Sequence, residues 1–417
     1  MQTKIRKTTI IIVSLWIVAQ TLIIVSFWGR AQGSDSGAYL YIAKQCYLEG
    51  EWYPQITNIY DSYIWAPGFI NWLIFQLCLF GDVNVNMVFN LLMNLGILTE
   101  VYFLSKRFFS ERTASIAVIF YCLLYSNLII VAQAGTEIPF LFGALSAFCL
   151  CLFPKYQLLI AAGILFAFAN WVRPLAIVFI LVALFYMWRE KYHRMCFIAL
   201  LLPLLVITIS IGAITNNKIG YFVCQSTTSG VNLIMTANNA AYGGVATSVL
   251  GDKTNIAYIE NSDKYTFIQK DSIWKERAFV WIKEHPVKYM KLYMLKLGGL
   301  YIEDSWPDRA LLGGDGFIDA AAHGNISKDI FLIRIVKMAL KSIFYYFIGI
   351  MFIGSLIIHR TDIFTNKGFL LLLLLLGTLI TCLFSVGPRY HYPFLFVVII
   401  WASYGMDSFC TKKMKLK

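Results

Sequence analysis

The residues of this 417-residue chain that could do chemistry are a few charged side chains at the ends of long apolar runs. Asp35 lies in "GSDSGAYLYIAKQC", shortly after the first apolar run, and Glu137 opens the run that begins "GTEIPF". Arg173 in "NWVRP" and Arg389 in "GPRYHYP" each lie next to a proline and near an aromatic residue. A carboxylate can accept a hydroxyl proton, and a guanidinium can hold a phosphate bidentately. These residue types are therefore candidates for proton transfer and for binding an anion such as phosphate.

Each of these four residues also has a structural interpretation. Asp35 alternatively caps the helix that it opens, and Glu137 alternatively forms a plain salt bridge. A carboxylate at a membrane edge is costly unless it is paired, which favours a working role for Glu137. Arg173 and Arg389 alternatively extend to lipid headgroups.

Three further residues are weaker candidates. Tyr390 and His391 follow Arg389 directly and could line the same pocket. A tyrosine at the end of a span is more often an interfacial anchor, and a lone histidine is more often structural. Asp61 is a candidate second acid, or alternatively a solvated loop charge.

The composition predicts an all-α, polytopic membrane protein. Hydrophobic residues make up 59% of the chain and charged residues 14%, with a mean hydropathy of +0.67 in the full sequence. These values are too apolar for a soluble protein of this length. The net charge of +12 does not indicate nucleic-acid binding, because most of the surplus lies in short loops and at the termini.

Neither a disulfide framework nor a metal site is predicted. The nine cysteines lie mostly within apolar runs and include no C-x-x-C pair. No H-x-x-x-H or D-x-D spacing is present, so a bound divalent ion stays open without support from the sequence.

The distribution of lysine and arginine predicts about ten spans with both termini in the cytoplasm. Apolar runs lie near residues 9–28, 64–80, 83–105, 113–132, 138–153, 157–171, 174–188, 195–215, 331–358, 368–386 and 393–410. The basic loops fall on one side only if 64–80, which starts near Pro67, lies along the outer surface without crossing.

This threading divides the chain into three parts. They are 1–215, a membrane core with a first outer loop at 29–82; 216–330, an outer loop and juxtamembrane region; and 331–417, the C-terminal spans. The turns at 132–137, 170–174 and 386–393 then lie on the same outer face, so that Asp35, Glu137, Arg173 and Arg389 can meet there.

Local patterns predict the elements of this outer face. Tyr39, Ile42, Ala43 and Cys46 recur at helical spacing within 34–50, with Ser34 or Ser36 as the cap and Gly50 as the end. The stretch 270–302 predicts a second outer helix, whose Lys288, Lys291 and Lys296 are expected to contact lipid headgroups. Between them, 226–249 is rich in glycine and asparagine and is expected to be a loop without a packed core.

Several motifs in order resemble the GT-C superfamily of polyprenyl-phosphate-sugar-dependent glycosyltransferases, in particular its family 39 and aminoarabinose-transferase-like branch. They are "SDSGAYLYIAKQ", "APGFINWLIFQLCLFGDVN", "GTEIPFLFGAL", "NWVRPLAIVF", "GVNLIMTANNAAYGG" with "AFVWIKEHPVKYMKLYMLKL", and "GPRYHYPFLFVVIIWASYG". The resemblance covers nearly the whole chain.

The resemblance implies a GT-C fold with juxtamembrane helices on the outer face, and an inverting transfer from a polyprenyl-phosphate-linked sugar outside the cytoplasm. The acceptor would be a cell-envelope glycan, a lipid or a protein. Asp35 is then the expected base, Glu137 a second working carboxylate, and Arg173 and Arg389 the ligands of the donor phosphate. The chain departs from the aminoarabinose branch at Ile64, Trp65 and Ala66, where relatives tend to carry a Glu-Lys pair, so an aminoarabinose donor is not implied.

Two other functions fit a polytopic chain. A flippase or transporter would favour related halves and ionisable residues within the membrane, and the halves here are unlike. A glycan polymerase or ligase would also use arginines in outer loops, and the early Asp35 helix favours the transferase over it. The simple loops indicate a bacterial cytoplasmic membrane.

Overall fold

The computed structural model describes residues 2–313, 328–384 and 386–415, and these residues contain no β-strand. The α-helices are α1 (Gln2–Phe27), α2 (Ser34–Leu48), α3 (Pro67–Phe80), α4 (Asn86–Phe108), α5 (Glu111–Leu123), α6 (Tyr125–Ile129), α7 (Glu137–Cys151), α8 (Tyr156–Val172), α9 (Ala176–Arg189), α10 (Arg194–Ile219), α11 (Ser229–Ile234), α12 (Phe267–Glu284), α13 (Pro286–Leu300), α14 (Asp308–Leu311), α15 (Lys328–Lys341), α16 (Ile343–Ile358), α17 (Phe369–Thr381) and α18 (Leu395–Lys415). The 3-10 helices are Ile56–Tyr60, Val83–Val85, Ile130–Ala132, Thr247–Leu250, Ser262–Lys264, Asp362–Phe364, Asn366–Gly368 and Pro388–Phe394.

The all-α architecture predicted from the sequence is confirmed. Residues 314–327 of the predicted outer region, and the last two residues of the C-terminal basic run, lie outside the described residues.

Four described helical segments are long and apolar enough to cross a membrane: Ile5–Phe27, Val83–Phe108, Arg194–Ile219 and Pro388–Thr411. Two bent pairs of helices raise that number to six if each pair is one span. Five shorter apolar helices of 10–17 residues accompany them. About ten crossings would require most of the shorter helices to cross as well, so that count stays a prediction.

Three segments expected to be continuous are broken. The run 113–132 bends by 69° between Leu123 and Tyr125, and the run 331–358 bends by 59° between Lys341 and Ile343. The predicted helix 270–302 is two helices, α12 and α13. Pro286 begins α13 because a proline lacks the N–H that a continuing helix would need.

The prediction that 226–249 is a loop without a packed core is wrong. Val231, Ile234 and Met235 form a second hydrophobic core with Trp274 and Trp281 of α12. Burying two tryptophans against aliphatic side chains removes a large apolar area from water. This part of the chain therefore packs as a small outer layer.

The basic loops expected to share one side do meet at one end of the helices. Phe109 contacts Tyr404 with ring centroids 4.8 Å apart, and the Lys367 Nζ donates to the Tyr404 hydroxyl at 2.9 Å. Arg112 forms an ion pair with Asp407 at 3.0 Å. The loops at 105–112 and 359–367 thus lie together, as the threading requires.

Both ends of α3 lie near the turn that follows α1. At one end Trp65 packs on Tyr39 of α2, with ring centroids 5.3 Å apart. At the other end the Gly29 N–H donates to the Asn84 side chain at 3.3 Å. Because α2 follows α1 after only a short turn, α3 begins and ends on the same side, which agrees with the expectation that it does not cross.

Helix α3 also sits unusually close to the end of α8. A Cβ atom on Gly68 would lie 2.5 Å from the main-chain carbon of Trp171 and 2.6 Å from the amide nitrogen of Val172. Only glycine allows two backbones to approach so closely. This contact holds α3 against the residues that lead directly into Arg173.

Helix α2 follows the predicted pattern with one correction. Ala43 and Cys46 are buried, and Gly50 takes the left-handed backbone (φ +70°) that follows the helix end at Leu48. The residue at the N-cap is Gly33, and no side chain caps the helix. The predicted cap by Ser34 or Ser36 is therefore wrong.

Candidate functional site

A cavity of about 1000 Å³ opens at the end of the helices where α2 begins. Two clusters of charged residues contribute to its lining. The arginine cluster consists of Asp35, Arg173, Arg389 and Tyr390. The α15 cluster consists of Glu303, Asp308, Arg309, Arg334, Lys337 and Lys341.

Asp35 is paired with Arg389 in this cavity. One carboxylate oxygen of Asp35 forms an ion pair with a terminal nitrogen of the Arg389 guanidinium. The two side chains keep 31% and 28% of their surface exposed, so a ligand can reach both. The Arg389 charge is the main reason that the pKa of Asp35 lies below its ordinary value. The structure thus gives Asp35 a cation as its partner, and its carboxylate does not cap α2.

Arg173 is held from behind by Glu137. The Arg173 Nη1 and a Glu137 carboxylate oxygen are 3.3 Å apart, and the Glu137 side chain keeps only 3% of its surface exposed. Glu137 is not among the residues that line the cavity, whereas Arg173 is. The sequence expected Glu137 to face Asp35, and the structure instead sets it against Arg173, where it orients the guanidinium.

Tyr390 links the two arginines. The guanidinium carbons of Arg173 and Arg389 each lie 5.2 Å from the centre of its ring. Stacking of this kind favours cations and restricts their rotation. The segments "NWVRP" and "GPRYHYP", 216 positions apart by subtraction of 173 from 389, thus present their arginines to one space.

His391 and Asp61 do not line the cavity, contrary to the sequence expectation. His391 is 1% exposed, and its Nδ1 is 2.7 Å from the Leu300 carbonyl oxygen. Its ring stacks between Tyr301 and Tyr345. Asp61 instead accepts a hydrogen bond from Asn58 at 2.8 Å. His391 is thus packed inside the fold, and Asp61 is an exposed residue outside the cavity.

The expected contact of Lys296 with lipid headgroups is wrong. Lys296 is 1% exposed, donates to the Cys382 carbonyl at 3.2 Å and lies over the Tyr289 ring. Burial lowers the pKa of Lys296 to about 8. Lys288 donates to the Asn239 carbonyl at 3.2 Å, while Lys291 is exposed.

Sequence reasoning missed the α15 cluster. Glu303 is 8% exposed and accepts a hydrogen bond from Ser305, and burial raises its pKa. Asp308 accepts a hydrogen bond from the Tyr125 hydroxyl at 2.6 Å and pairs with Lys341. The available signal was the spacing of Arg334, Lys337 and Lys341 at i, i+3 and i+7, which places cations on one helix face.

The described residues contain no group of three or more histidine, cysteine or acidic side chains that could hold a metal ion. Asp35 and Asp308 each already have a cation as partner. The described residues by themselves therefore present no metal centre, and a bound divalent ion stays open.

No family model and no curated protein matches the chain. Its fold is similar to that of the oligosaccharyltransferase of Archaeoglobus fulgidus in the apo form, with a TM-score of 0.48, 12% identity, and coverage of 96% of this chain and 51% of the other. The fold is also similar to that of AglB from the same organism in complex with an inhibitory peptide and a dolichol-phosphate. The TM-score is 0.46 and the identity 13%, and the match covers 96% of this chain and 50% of the other. A third similar structure is ArnT from Cupriavidus metallidurans bound to undecaprenyl phosphate. The TM-score is 0.41 and the identity 12%, and the match covers 95% of this chain and 77% of the other.

These similar structures come from GT-C glycosyltransferases, the class that the sequence motifs resemble. The chain spans about half the length of the oligosaccharyltransferase structures that it matches. With TM-scores below 0.5, the roles of individual residues rest on the geometry of this chain alone.

Proposed function

We propose that this protein is an inverting glycosyltransferase that moves a sugar from a polyprenyl-phosphate carrier to an acceptor hydroxyl on the non-cytoplasmic face of a membrane. The observation that carries the proposal is the joint presence of Asp35, Arg173 and Arg389 in one accessible cavity at an end of the helices. A carboxylate beside two guanidiniums can serve both halves of such a reaction.

The two arginines would bind the phosphate of the donor. Arg173 keeps its buried partner Glu137 and is stacked on Tyr390, so its guanidinium is already oriented. Arg389 is partly exposed and has an exchangeable partner in Asp35. Positively charged groups fixed near the leaving phosphate stabilise the negative charge that develops as the sugar departs.

The apolar part of the cavity lining suits the carrier lipid. Leu175, Ile177, Ile380 and Phe384 line the same space as the arginines. Ile177 keeps 43% of its surface exposed. An isoprenoid chain that covered these side chains would remove apolar surface from water or replace other lipid there.

Asp35 would accept the proton of the attacking hydroxyl. The acceptor oxygen forms a bond to the anomeric carbon, the carbon–oxygen bond to phosphate breaks with its electron pair leaving on the phosphate, and the hydroxyl proton passes to Asp35. Attack on the face remote from the leaving phosphate inverts the anomeric centre. A phosphate that draws Arg389 away from Asp35 would raise the pKa of that carboxylate and make it a better base.

The test is sugar transfer from undecaprenyl-phosphate-linked sugars by the wild type and by Asp35→Asn, in membranes with equal amounts of protein. We expect turnover to fall by about 100-fold or more, which is the usual contribution of a general base. Binding of undecaprenyl phosphate is expected to persist.

Full turnover in Asp35→Asn would show that this residue is not the base. The absence of any transfer by the wild type with several sugars would refute the proposed reaction and favour a flippase or a polymerase. Equal undecaprenyl phosphate affinity in the two proteins is the control for folding.

A further inference from the structure

Helix α15 is amphipathic in an unusual orientation. Arg334, Lys337 and Lys341 occupy roughly 60° of arc at 100° per residue, and all three line the cavity. The exposed apolar side chains Leu332, Ile333, Val336 and Leu340 occupy the other side of the helix. Cations of an ordinary interfacial helix point to headgroups, whereas these point into the site.

The three basic side chains that α15 contributes to the cluster differ in their partners. Lys341 is paired with Asp308, whereas Arg334 and Lys337 form no ion pair with a described acidic residue. In the arginine cluster, by contrast, each guanidinium has its own carboxylate. Among the described residues that line the cavity, Arg334 and Lys337 are therefore the cations that differ from the arginine cluster in having no carboxylate of their own.

Arg334 supplies a separate observation. Its Nη1 atom is buried and has no hydrogen-bond partner in the described part of the chain. Among the described acidic residues, none forms an ion pair with Arg334 or Lys337. A buried guanidinium N–H without an acceptor is costly, so a ligand that supplies an oxyanion there would be stabilised.

We propose that the α15 cluster is a second anion site, which binds a phosphate-class group carried by the acceptor. The inference rests on the proposed function, because the arginine cluster is then occupied by the donor phosphate, and Arg334 and Lys337 remain for the other substrate. Guanidinium and ammonium groups on one face suit a phosphate monoester or diester. The acceptor is accordingly an anionic molecule with its reactive hydroxyl near Asp35.

The experiment measures inorganic phosphate binding to the full chain in phosphatidylcholine nanodiscs, with undecaprenyl phosphate present at saturation. Saturation-transfer ³¹P NMR suits a weak ligand. We expect phosphate to bind the wild type, and the double variant Arg334→Gln/Lys337→Gln to weaken that binding by about tenfold or more, since two charge-assisted contacts are lost. Lys337→Arg, which keeps the charge, should retain binding.

A matched control removes the same charge elsewhere. Lys283 and Lys291 are exposed residues of α12 and α13 that do not line the cavity. Lys283→Gln/Lys291→Gln should leave phosphate binding unchanged. Undecaprenyl phosphate affinity within about twofold of wild type in both double variants shows that each is folded.

Four outcomes would overturn the proposal. The first is no phosphate binding by the wild type, and the second is equal phosphate binding in the α15 variant. The third is that the α15 variant binds undecaprenyl diphosphate more weakly than the wild type does, while its affinity for undecaprenyl phosphate is unchanged. That result would assign the cluster to a second donor phosphate. The fourth is loss of phosphate binding when phosphatidylglycerol replaces phosphatidylcholine, which would assign it to lipid headgroups.

Failure of the proposed function gives a different result. If undecaprenyl phosphate does not bind the wild type, the donor assignment fails. Phosphate titration of Arg389→Gln, with and without the two α15 substitutions, then tests the second site independently. Loss of binding on adding those substitutions supports an anion site on α15, and no loss refutes it.

Discussion

The two charged clusters of the cavity differ in how their cations are compensated. In the arginine cluster Arg389 pairs with Asp35, and Arg173 pairs with Glu137 at 3.3 Å. In the α15 cluster Arg334 and Lys337 lack an acidic partner among the described residues. A compensated cluster holds its geometry before substrate arrives, whereas an uncompensated one gains its counter-charge from a ligand.

The difference also separates two uses of a carboxylate. A bound phosphate can replace Asp35 as the partner of Arg389, so the pKa of Asp35 can change when the phosphate binds. Glu137 is buried with Arg173 and has no comparable exchange. One acid is therefore suited to chemistry and the other to positioning.

The largest effect should come from Arg389→Gln. Loss of a guanidinium that holds the leaving phosphate is expected to lower kcat/KM for sugar transfer by roughly 100-fold or more. The pKa of Asp35, now depressed mainly by Arg389, should rise, so the acid limb of the kcat/KM profile moves to higher pH. Arg389→Lys keeps the positive charge but cannot hold a phosphate bidentately, so it should raise the KM for the donor more than the KM for the acceptor. An unchanged acid limb in Arg389→Gln would remove Asp35 as the titrating group.

Breaking the other pair with Glu137→Gln should mainly affect folding and donor binding. An uncompensated buried guanidinium is expected to cost about 3 kcal/mol of unfolding free energy. Since Arg173 loses its orientation, the donor KM should rise while the acid limb of the pH profile stays in place. Denaturant unfolding and steady-state kinetics measure the two effects. A shifted acid limb would instead give Glu137 a direct part in proton transfer.

Asp308→Asn should act on the α15 cluster in the opposite sense. The substitution removes the carboxylate that pairs with Lys341, so one more cation becomes available. Phosphate affinity should rise by about threefold, a modest effect because the pair is partly exposed. The same NMR titration measures it, and a fall in affinity would contradict the assignment.

The smallest effect on binding should come from His391→Asn. His391 lies two residues from Arg389 but contacts Leu300, Tyr301 and Tyr345 outside the cavity. We expect undecaprenyl phosphate affinity to stay within about twofold of wild type, and stability to fall by about 1 kcal/mol from the lost hydrogen bond. A large loss of affinity at unchanged stability would return His391 to the site.

The sequence was sufficient to predict that Asp35, Arg173, Arg389 and Tyr390 lie close together. Each is at an end of an apolar run, and the threading places those ends on the same face. It could not place His391. Residues 388–394 form a 3-10 helix with three residues per turn, so neighbours two positions apart point about 120° away from each other. The partner of Glu137 likewise depends on how α7 and α8 pack.

The α15 cluster was missed for a different reason. In the sequence, 331–358 is one apolar run in which the basic residues are scattered, so they give no separate signal. The bend next to Ser342 turns α15 away from α16, and only then do Arg334, Lys337 and Lys341 share a cavity. Glu303 and Asp308 carry no periodic signal, and the partners of Asp308, Tyr125 and Lys341, come from distant parts of the chain.

The contact at Gly68 limits how far the main chain beside the arginine cluster can move. Since main chain meets main chain there, no side chain can rotate to absorb a change in spacing. Arg173 is the residue after Val172 in this contact, so α3 fixes the position of the main chain from which the Arg173 side chain extends. In the proposed reaction, the backbone contact between α3 and α8 would fix how deep the main chain of the phosphate-binding arginine lies, so the depth at which a carrier lipid presents its sugar would be a property of the fold.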